Sequence, residues 1–358
     1  MLLRSLTQLN FRNLQTHEFR PCVGLTAVTG RNGAGKSNLL EACYLGLSGE
    51  LPGGKIAQNV RIGEEEAFVA AVVDHNEGSS RIEIGLAPGR KAMKLDGQRV
   101  RVIDIARVST GVLITPEDAD IVHGSPSRRR AYLDSLLARI SPRYATLHRA
   151  YAKVLEQRNA ALKAGFAGET LDVWTEPLAQ YGQEIEQLRE RALSRIAPLA
   201  REAHAAISGG QKELEVRLLS TFEGELLAAL HAARQEERAR GTTVTGPHRS
   251  DLALELDGHS AQAYASRGEA RTVSLALRVA EFQLLEERHA EPPVLLLDDF
   301  TAELDPARRD YLLDLVGRTQ QAIVTGTEPP ERFDGLFEID AGLLRAVETA
   351  DGGSHGTT

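Results

Sequence analysis

Leu25-Thr26-Ala27-Val28-Thr29-Gly30-Arg31-Asn32-Gly33-Ala34-Gly35-Lys36-Ser37-Asn38-Leu39-Leu40 joins a short aliphatic run, a glycine-rich loop and the start of a helical pattern. Leu25–Thr29 has the composition of a buried strand, and Asn38–Leu47 carries helical periodicity. Between them, Gly30–Ser37 fits G-x-x-x-x-G-K-[ST] at every position, in the strand–loop–helix context that the pattern requires. The glycines let backbone N–H groups turn toward phosphates, and the following helix adds its positive dipole end. In this reading Lys36 reaches the β- and γ-oxygens and Ser37 offers its hydroxyl to Mg²⁺. The candidate phosphate-binding residues are Gly30, Arg31, Asn32, Gly33, Ala34, Gly35, Lys36, Ser37 and Asn38. The bland alternative is an ordinary glycine-rich turn.

A second strand completes the pattern. Val294-Leu295-Leu296-Leu297-Asp298-Asp299 buries four aliphatics and delivers two carboxylates to its tip. Asp298 is the expected Mg²⁺ residue, held through water, and Asp299 is expected to orient or deprotonate the attacking water. Asp299 and Lys36 are therefore the expected catalytic pair, with ATP and Mg²⁺ as the cofactors.

Two segments compete for a third role. Ser266-Arg267-Gly268-Glu269 opens a long helical pattern, Glu269–His289, which runs directly into the acidic strand. A Ser and a Gly at a helix start can bind an anion through hydroxyl, N–H and dipole together, although the same letters also make a plain N-cap. In ABC-type ATPases the helix before the acidic strand carries the signature that binds the γ-phosphate of a second subunit, so Ser266 and Gly268 are the candidates. Ile207-Ser208-Gly209-Gly210-Gln211 is closer in letters to the LSGGQ signature of transporters. Strand-like Leu214–Leu219 follows it, so Ser208–Gln211 reads as a loop. Thr301–Asp305 resembles the D-loop that packs across such dimers. After the next strand, Thr325 and Thr327 stand where many relatives carry a histidine, which implies a threonine hydroxyl at the γ-phosphate and slow hydrolysis.

The pattern around these motifs is α/β. Ala67–Asp74, Arg81–Ala87 and Lys91–Leu95 read as strands of an antiparallel sheet beside the loop. From Ser127 to Ser208 the chain is helix-patterned, with Pro198 expected to kink the last run. Strand and helix alternate again after Gly246-Pro247. The expected organisation is a discontinuous nucleotide domain, residues 1–115 and 246–348, interrupted by a mostly helical lobe over 116–245. Residues 349–358 form a polar, Gly-rich tail.

The chain has 358 residues, 42% hydrophobic and 26% charged, a composition typical of globular proteins. No apolar run approaches a membrane span, and the first residues, with one Arg and a broken apolar stretch, do not read as a secretory leader. Cys22 and Cys43 lack metal-ligand spacing and fit a reducing cytoplasm. A net charge of −8 argues against a nucleic-acid binder, but charge is segregated. Residues 121–165 hold nine bases and two acids, a net of +7. Within them Arg143, Arg149 and Lys153 are candidate phosphate-backbone contacts, and a solvated helix face is the alternative. Arg128, Arg129 and Arg130 read either as structural or as reaching toward nucleotide.

Beyond these generic parts, the chain resembles the RecF family of bacterial recombination-repair ATPases, whose core is like the heads of SMC proteins. The resemblance rests on Asn10-Phe11-Arg12-Asn13, on Ser37–Ala42, on the block from Pro116 to Asp134, on Gly246-Pro247-His248-Arg249-Ser250-Asp251, and on Leu296–Leu312. Ser250 stands where the family usually has an acid, and Arg267, Glu269 and Ala270 stand at Gln-rich signature positions. The resemblance implies an SMC-like, ABC-type P-loop ATPase head with an inserted helical lobe, and it adds Arg12 and Asn13 to the nucleotide site. It further implies an ATP-dependent homodimer that binds DNA near gaps or single-strand/duplex boundaries. RecR, with RecO in the pathway, would be the partners, and RecA the protein loaded. A transporter ATPase subunit and an SMC-like structural ATPase are the competing classes.

Overall fold

The computed structural model of the chain describes residues 1–51, 55–299 and 306–349. The expected D-loop at 301–305 and the polar tail from 351 lie outside the described residues. In chain order the elements begin β1 (Leu2–Leu9), β2 (His17–Phe19), β3 (Gly24–Thr29), α1 (Lys36–Ser48), β4 (Ala67–His75), β5 (Gly78–Ala87), β6 (Arg90–Leu95), β7 (Gln98–Arg99), α2 (Val102–Ile105) and β8 (Gly111–Ile114). Next come α3 (Asp120–His123), α4 (Pro126–Ile140), α5 (Pro142–Lys163), α6 (Glu169–Ser208), β9 (Leu214–Leu219), α7 (Leu226–Ala232), α8 (Arg234–Arg240), β10 (Asp251–Leu256), β11 (His259–Ser260) and α9 (Ala261–Tyr264). The chain closes with α10 (Arg267–His289), β12 (Val294–Leu297), α11 (Pro306–Arg318), β13 (Gln321–Gly326), β14 (Gly335–Asp340) and β15 (Leu343–Thr349).

Two compact units result. One comprises Met1–Glu117, Ala206–Ser208 and Glu281–Thr358; the other comprises Asp118–Ala205 and Gly209–Ala280. The expected return to the nucleotide domain at residue 246 thus falls near residue 281 in this division. The physical reason is strand pairing: β10 pairs antiparallel with β9 from Asp251↔Leu219 to Leu256↔Leu214, and β11 adds to its other edge. Those ladder bonds tie the chain beyond residue 246 to the inserted unit.

The first unit holds two six-stranded sheets. The antiparallel one runs β2-β1-β4-β5-β6-β7, and its β4–β6 are the strands read beside the loop. The other runs β15-β14-β3-β13-β12-β8, parallel from β14 to β8. Helix α1 packs against strands of both. Val294–Leu297 are all buried, as the continuous aliphatic run of a parallel central strand requires. Each such side chain contributes on the order of 1.5–3 kcal/mol relative to exposure. Because β3, β13 and β12 are parallel neighbours, their carboxyl ends share one edge, where open α/β sheets place ligands.

In the second unit, α6 is continuous over 40 residues despite Pro177 and Pro198, roughly 60 Å at 1.5 Å per residue. An interior proline costs about 3 kcal/mol. The buried series Leu171, Leu178, Ile185, Leu193, Ile196, Ala200 and Ala203, at spacings of seven, eight, three and four, offsets that cost by keeping one face in the core. Two short helices, α7 and α8, follow β9.

Candidate functional site

The loop Gly30–Gly35 leads from β3 into α1, and its conformation depends on residues that lack a Cβ. Gly35 has φ +116°, and a Cβ there would meet Asn13 Oδ1 at 2.9 Å; at Gly30 a Cβ would stand 2.3 Å from the Ile339 carbonyl oxygen. The first turn of α1 contains no acid, and Gly35 offers no side-chain cap, so its N–H groups are left for an external acceptor. Lys36 is buried and its ammonium donates to the Gly30 and Arg31 carbonyls at 2.7 and 3.1 Å. Ser37 stands exposed on the same turn.

Behind the loop lies a polar brace. Asn13 donates to the Gly33 carbonyl at 3.3 Å, Asn38 donates to Asn13 Oδ1 at 2.7 Å, and Arg12 donates to Asn38 Oδ1 at 3.1 Å. Arg12 also pairs with Glu41 at 2.5 Å and donates to Asn59 Oδ1 at 3.2 Å. Arg12 and Asn13 thereby hold the loop from outside. Burial pushes Glu41 up to about 7, against the lowering effect of Arg12 and with Asp298 and Glu117 adding to the rise.

The acidic strand faces this loop. Leu297 pairs with Val324, and Val324 with Ala27, so the next residues, Asp298, Thr325 and Val28, are lateral neighbours. The Thr325 hydroxyl donates to Asp298 Oδ1 at 2.6 Å and accepts from the Asp299 N–H at 3.0 Å. The one proton of Thr325 is thus given to Asp298, while Thr327, the other threonine read after this strand, is exposed. Asp299 adopts the left-handed conformation, φ 54°, which redirects the chain at the strand tip. Asn32, Gly33, Gly35, Lys36, Ser37, Asn38, Asp298 and Asp299 line a single cleft of about 290 Å³, joined by Pro116 and Glu117. Glu117 entered the sequence reading only as part of the Pro116–Asp134 block and was given no place in the site. Its signal was β8, whose pairing with β12 from Gly111↔Val294 to Ile114↔Leu297 puts the following residues beside Asp298.

Loop and carboxylates fit ATP with Mg²⁺. A buried ammonium and a helix N-terminus without acids suit the phosphates, while Ser37 and Asp298 supply hard oxygen donors of the kind Mg²⁺ takes.

Ser266 and Gly268 belong to the other unit, at the start of α10. Ser266 is exposed and closes a capping box, its N–H donating to Glu269 Oε2 at 2.7 Å and its Oγ accepting from the Glu269 N–H at 3.2 Å. Ser208, by contrast, ends α6, and Gly209 caps it in the left-handed conformation. A helix C-terminus presents carbonyls and negative dipole to an anion, so the LSGGQ-like letters stand at the wrong helix end for phosphate.

The basic segment is less free than its sequence suggests. Arg129 is buried, donating to both oxygens of Asp251 at 2.9 and 2.8 Å and to the Gly124 carbonyl at 3.0 Å. Arg130 donates to the Ser250 carbonyl at 3.0 Å, and Arg158 pairs with Glu237 with both side chains wholly buried. Arg128 pairs with Asp120 at 3.6 Å. Tyr132, Tyr144 and Tyr151 are core residues whose hydroxyls meet the Leu277 carbonyl, Asp134 and His248. Arg143, Arg149 and Lys153 are exposed on α5, with Arg143 paired to Glu184.

A phosphate loop facing an acid-tipped strand across the carboxyl edge of a parallel sheet, with an antiparallel sheet on the other side of α1, defines an ABC-type ATPase head of the SMC-like kind. Residues 2–332 match the RecF/RecN/SMC N-terminal domain family. Over 356 residues the chain is 51% identical to the DNA replication and repair protein RecF of Deinococcus radiodurans, covering 99% of this chain and 98% of that one. The protein of the same description from Deinococcus deserti is 49% identical over 92% of this chain and 91% of its own. The solved structure of the recombination mediator protein RecF with ATP, in the RecFOR pathway, matches with a TM-score of 0.90 at 31% identity over 97% of both chains. An SMC head bound to the C-terminal winged-helix domain of ScpA matches at a TM-score of 0.55 and 17% identity, a likeness of fold. The chain belongs to the RecF family.

Proposed function

We propose that this protein is a cytoplasmic, ATP-controlled DNA-binding dimer of recombinational repair. The observation that carries the reading is the cleft in which the Gly30–Ser37 loop, the bare N-terminus of α1 and the Asp298–Asp299 tip converge. Two kinds of relative support it: curated proteins described as acting in DNA replication and repair, and a solved RecF–ATP structure of the RecFOR pathway. ATP sits on the loop with Lys36 at the β/γ oxygens, and Ser37 and Asp298 hold the Mg²⁺, which neutralises phosphate charge. Ser266 and Gly268 of a second copy cap the same triphosphate, so nucleotide joins two chains and its hydrolysis releases them. Asp299 orients the attacking water. Hydrolysis is slow, because β13 is followed by Thr327 rather than a histidine and Thr325 is committed to Asp298.

The dimer binds duplex DNA at gaps or single-strand/duplex boundaries through Arg143, Arg149 and Lys153, and it works with RecR and RecO to load RecA. Residues 1–115 and 246–348 remain the proposed sequence limits of the ATPase domain, with 116–245 as the insert.

Light scattering with ATP, Mg²⁺ and a gapped duplex tests this. Wild type should be monomeric without ATP, dimeric with it, and retained on DNA only as the dimer. Lys36→Met, which removes the charge opposing the β/γ oxygens, should abolish the ATP-driven dimer and its retention on DNA. A Lys36→Met chain that still binds ATP and dimerises would remove the site assignment.

A further inference from the structure

The segment Ser208-Gly209-Gly210-Gln211-Lys212 holds a group that the proposed function leaves unused. Gly209 and Gly210 end α6 by donating to the Ala205 carbonyl, and the chain then turns into β9. Lys212 lies in that turn. The next residue is fixed from both sides: the Glu213 N–H donates to Asp257 Oδ1 at 2.9 Å, and the Asp257 N–H donates to the Glu213 carbonyl at 3.0 Å. From this anchored position the Lys212 ammonium donates to Glu269 Oε1 at 2.5 Å. Glu269 is the residue that closes the capping box with Ser266. Its carboxyl is held down at about 2, with the Lys212 hydrogen bond the largest cause and the Ser266 bonds next.

The division of labour among these atoms is specific. Oε2 of Glu269 takes the Ser266 N–H, and Oε1 takes Lys212. The Ser266 oxygen accepts from the Glu269 N–H, which leaves its hydroxyl proton to donate elsewhere. A triphosphate approaching that hydroxyl and the N–H groups of the first turn of α10 also meets the Glu269 carboxylate, whose charge opposes it. Lys212 sits on the carboxylate oxygen that the cap does not use. It therefore cancels the opposing charge without competing for the cap.

We propose that Lys212 is a positioning and charge-compensating residue for the contact between Ser266 and the triphosphate held by a second copy of this chain. The inference rests on the reading of Ser266 as the trans contact. It also gives the LSGGQ-like turn a purpose: its glycines carry Lys212 to the true helix start.

Sedimentation with saturating ATP and Mg²⁺ tests it, using Lys212→Ala, Lys212→Arg, Glu269→Gln, the Lys212→Ala/Glu269→Gln double variant and Ser266→Arg. Exposed charge pairs couple by factors of roughly 1.5 to 5, and two symmetric sites form together, so Lys212→Ala should weaken dimerisation about two- to twentyfold. ATP affinity of the monomer should be unchanged, and Lys212→Arg should dimerise like wild type. Glu269→Gln keeps the cap and removes the charge, so the double variant should recover to within about twofold of Glu269→Gln alone. Glu269→Gln alone should dimerise at least as well as wild type, whereas a purely structural ion pair would leave Glu269→Gln and the double variant as weak as Lys212→Ala. If Ser266→Arg loses the dimer while Lys212→Ala keeps it, or the double variant stays as weak as Lys212→Ala, the inference falls alone. If Ser266→Arg dimerises normally, the trans-contact reading falls and the inference with it.

Discussion

The hydroxyl of Thr325 bridges the two carboxylate residues at the tip of the acidic strand, donating to Asp298 Oδ1 at 2.6 Å while accepting from the backbone N–H of Asp299 at 3.0 Å. Thr325 is buried and sits on β13, between the strand that feeds the phosphate loop and the strand that carries the carboxylates. It therefore fixes the rotamer of Asp298 and the backbone course of Asp299 together.

Thr325→Val keeps the shape and removes both bonds. A hydrogen bond to a charged group is worth about 1.5–3 kcal/mol, so ATP hydrolysis should fall on the order of ten- to a hundredfold. Thr325→Ser should retain most of the rate. Steady-state hydrolysis of the two variants checks this, and a wild-type rate for Thr325→Val would show that Asp298 needs no such support.

Asp299→Asn should slow hydrolysis at least about tenfold and leave ATP binding intact, so ATP-bound dimers and their DNA complexes should persist longer. Asparagine tolerates the left-handed backbone that Asp299 adopts, so the strand tip should keep its course. Dissociation of dimers after ATP is removed gives the reading. Loss of ATP binding would mean that the two carboxylates have exchanged roles.

Arg143, Arg149 and Lys153 replaced together by Ala should weaken DNA binding while ATP-driven dimerisation persists. Each lost phosphate contact lowers the log–log salt slope by about 0.9, so the slope should fall by roughly 1.8 to 2.7. The lower figure applies where Arg143 stays with Glu184. Titrations at several salt concentrations decide it, and an unchanged slope would mark this face as merely solvated.

What was legible in the sequence was local. β12 could be read because four consecutive aliphatics suit a strand buried on both faces, and α1 and α10 because their periodic runs, read from Asn38 and Glu269, follow glycine and serine; both helices start two residues earlier than that periodicity. The two signature candidates were separable because Gly209 and Gly210 follow a helix while Ser266 precedes one. What escaped was set by distant partners. Nothing within Gly111–Ile114 marks four residues as a strand; its pairing with β12 does. The count of nine bases over 121–165 omitted Asp251, Glu184 and Glu237, which lie outside that window and pair with Arg129, Arg143 and Arg158. The ladder that joins β10 to β9 was likewise set at a distance, and α6 runs on through Pro177 and Pro198 along a buried face.

The account stands most directly on which helix start caps the nucleotide of a second chain, and sedimentation of Ser266→Arg and Ser208→Arg with ATP measures that. Ser266→Arg puts bulk and charge at an exposed helix start, so it should bind ATP as a monomer with nearly normal affinity and fail to dimerise. Ser208→Arg changes the last residue of α6 and should dimerise like wild type. A Ser208→Arg chain that stays monomeric beside a Ser266→Arg chain that dimerises would contradict the account.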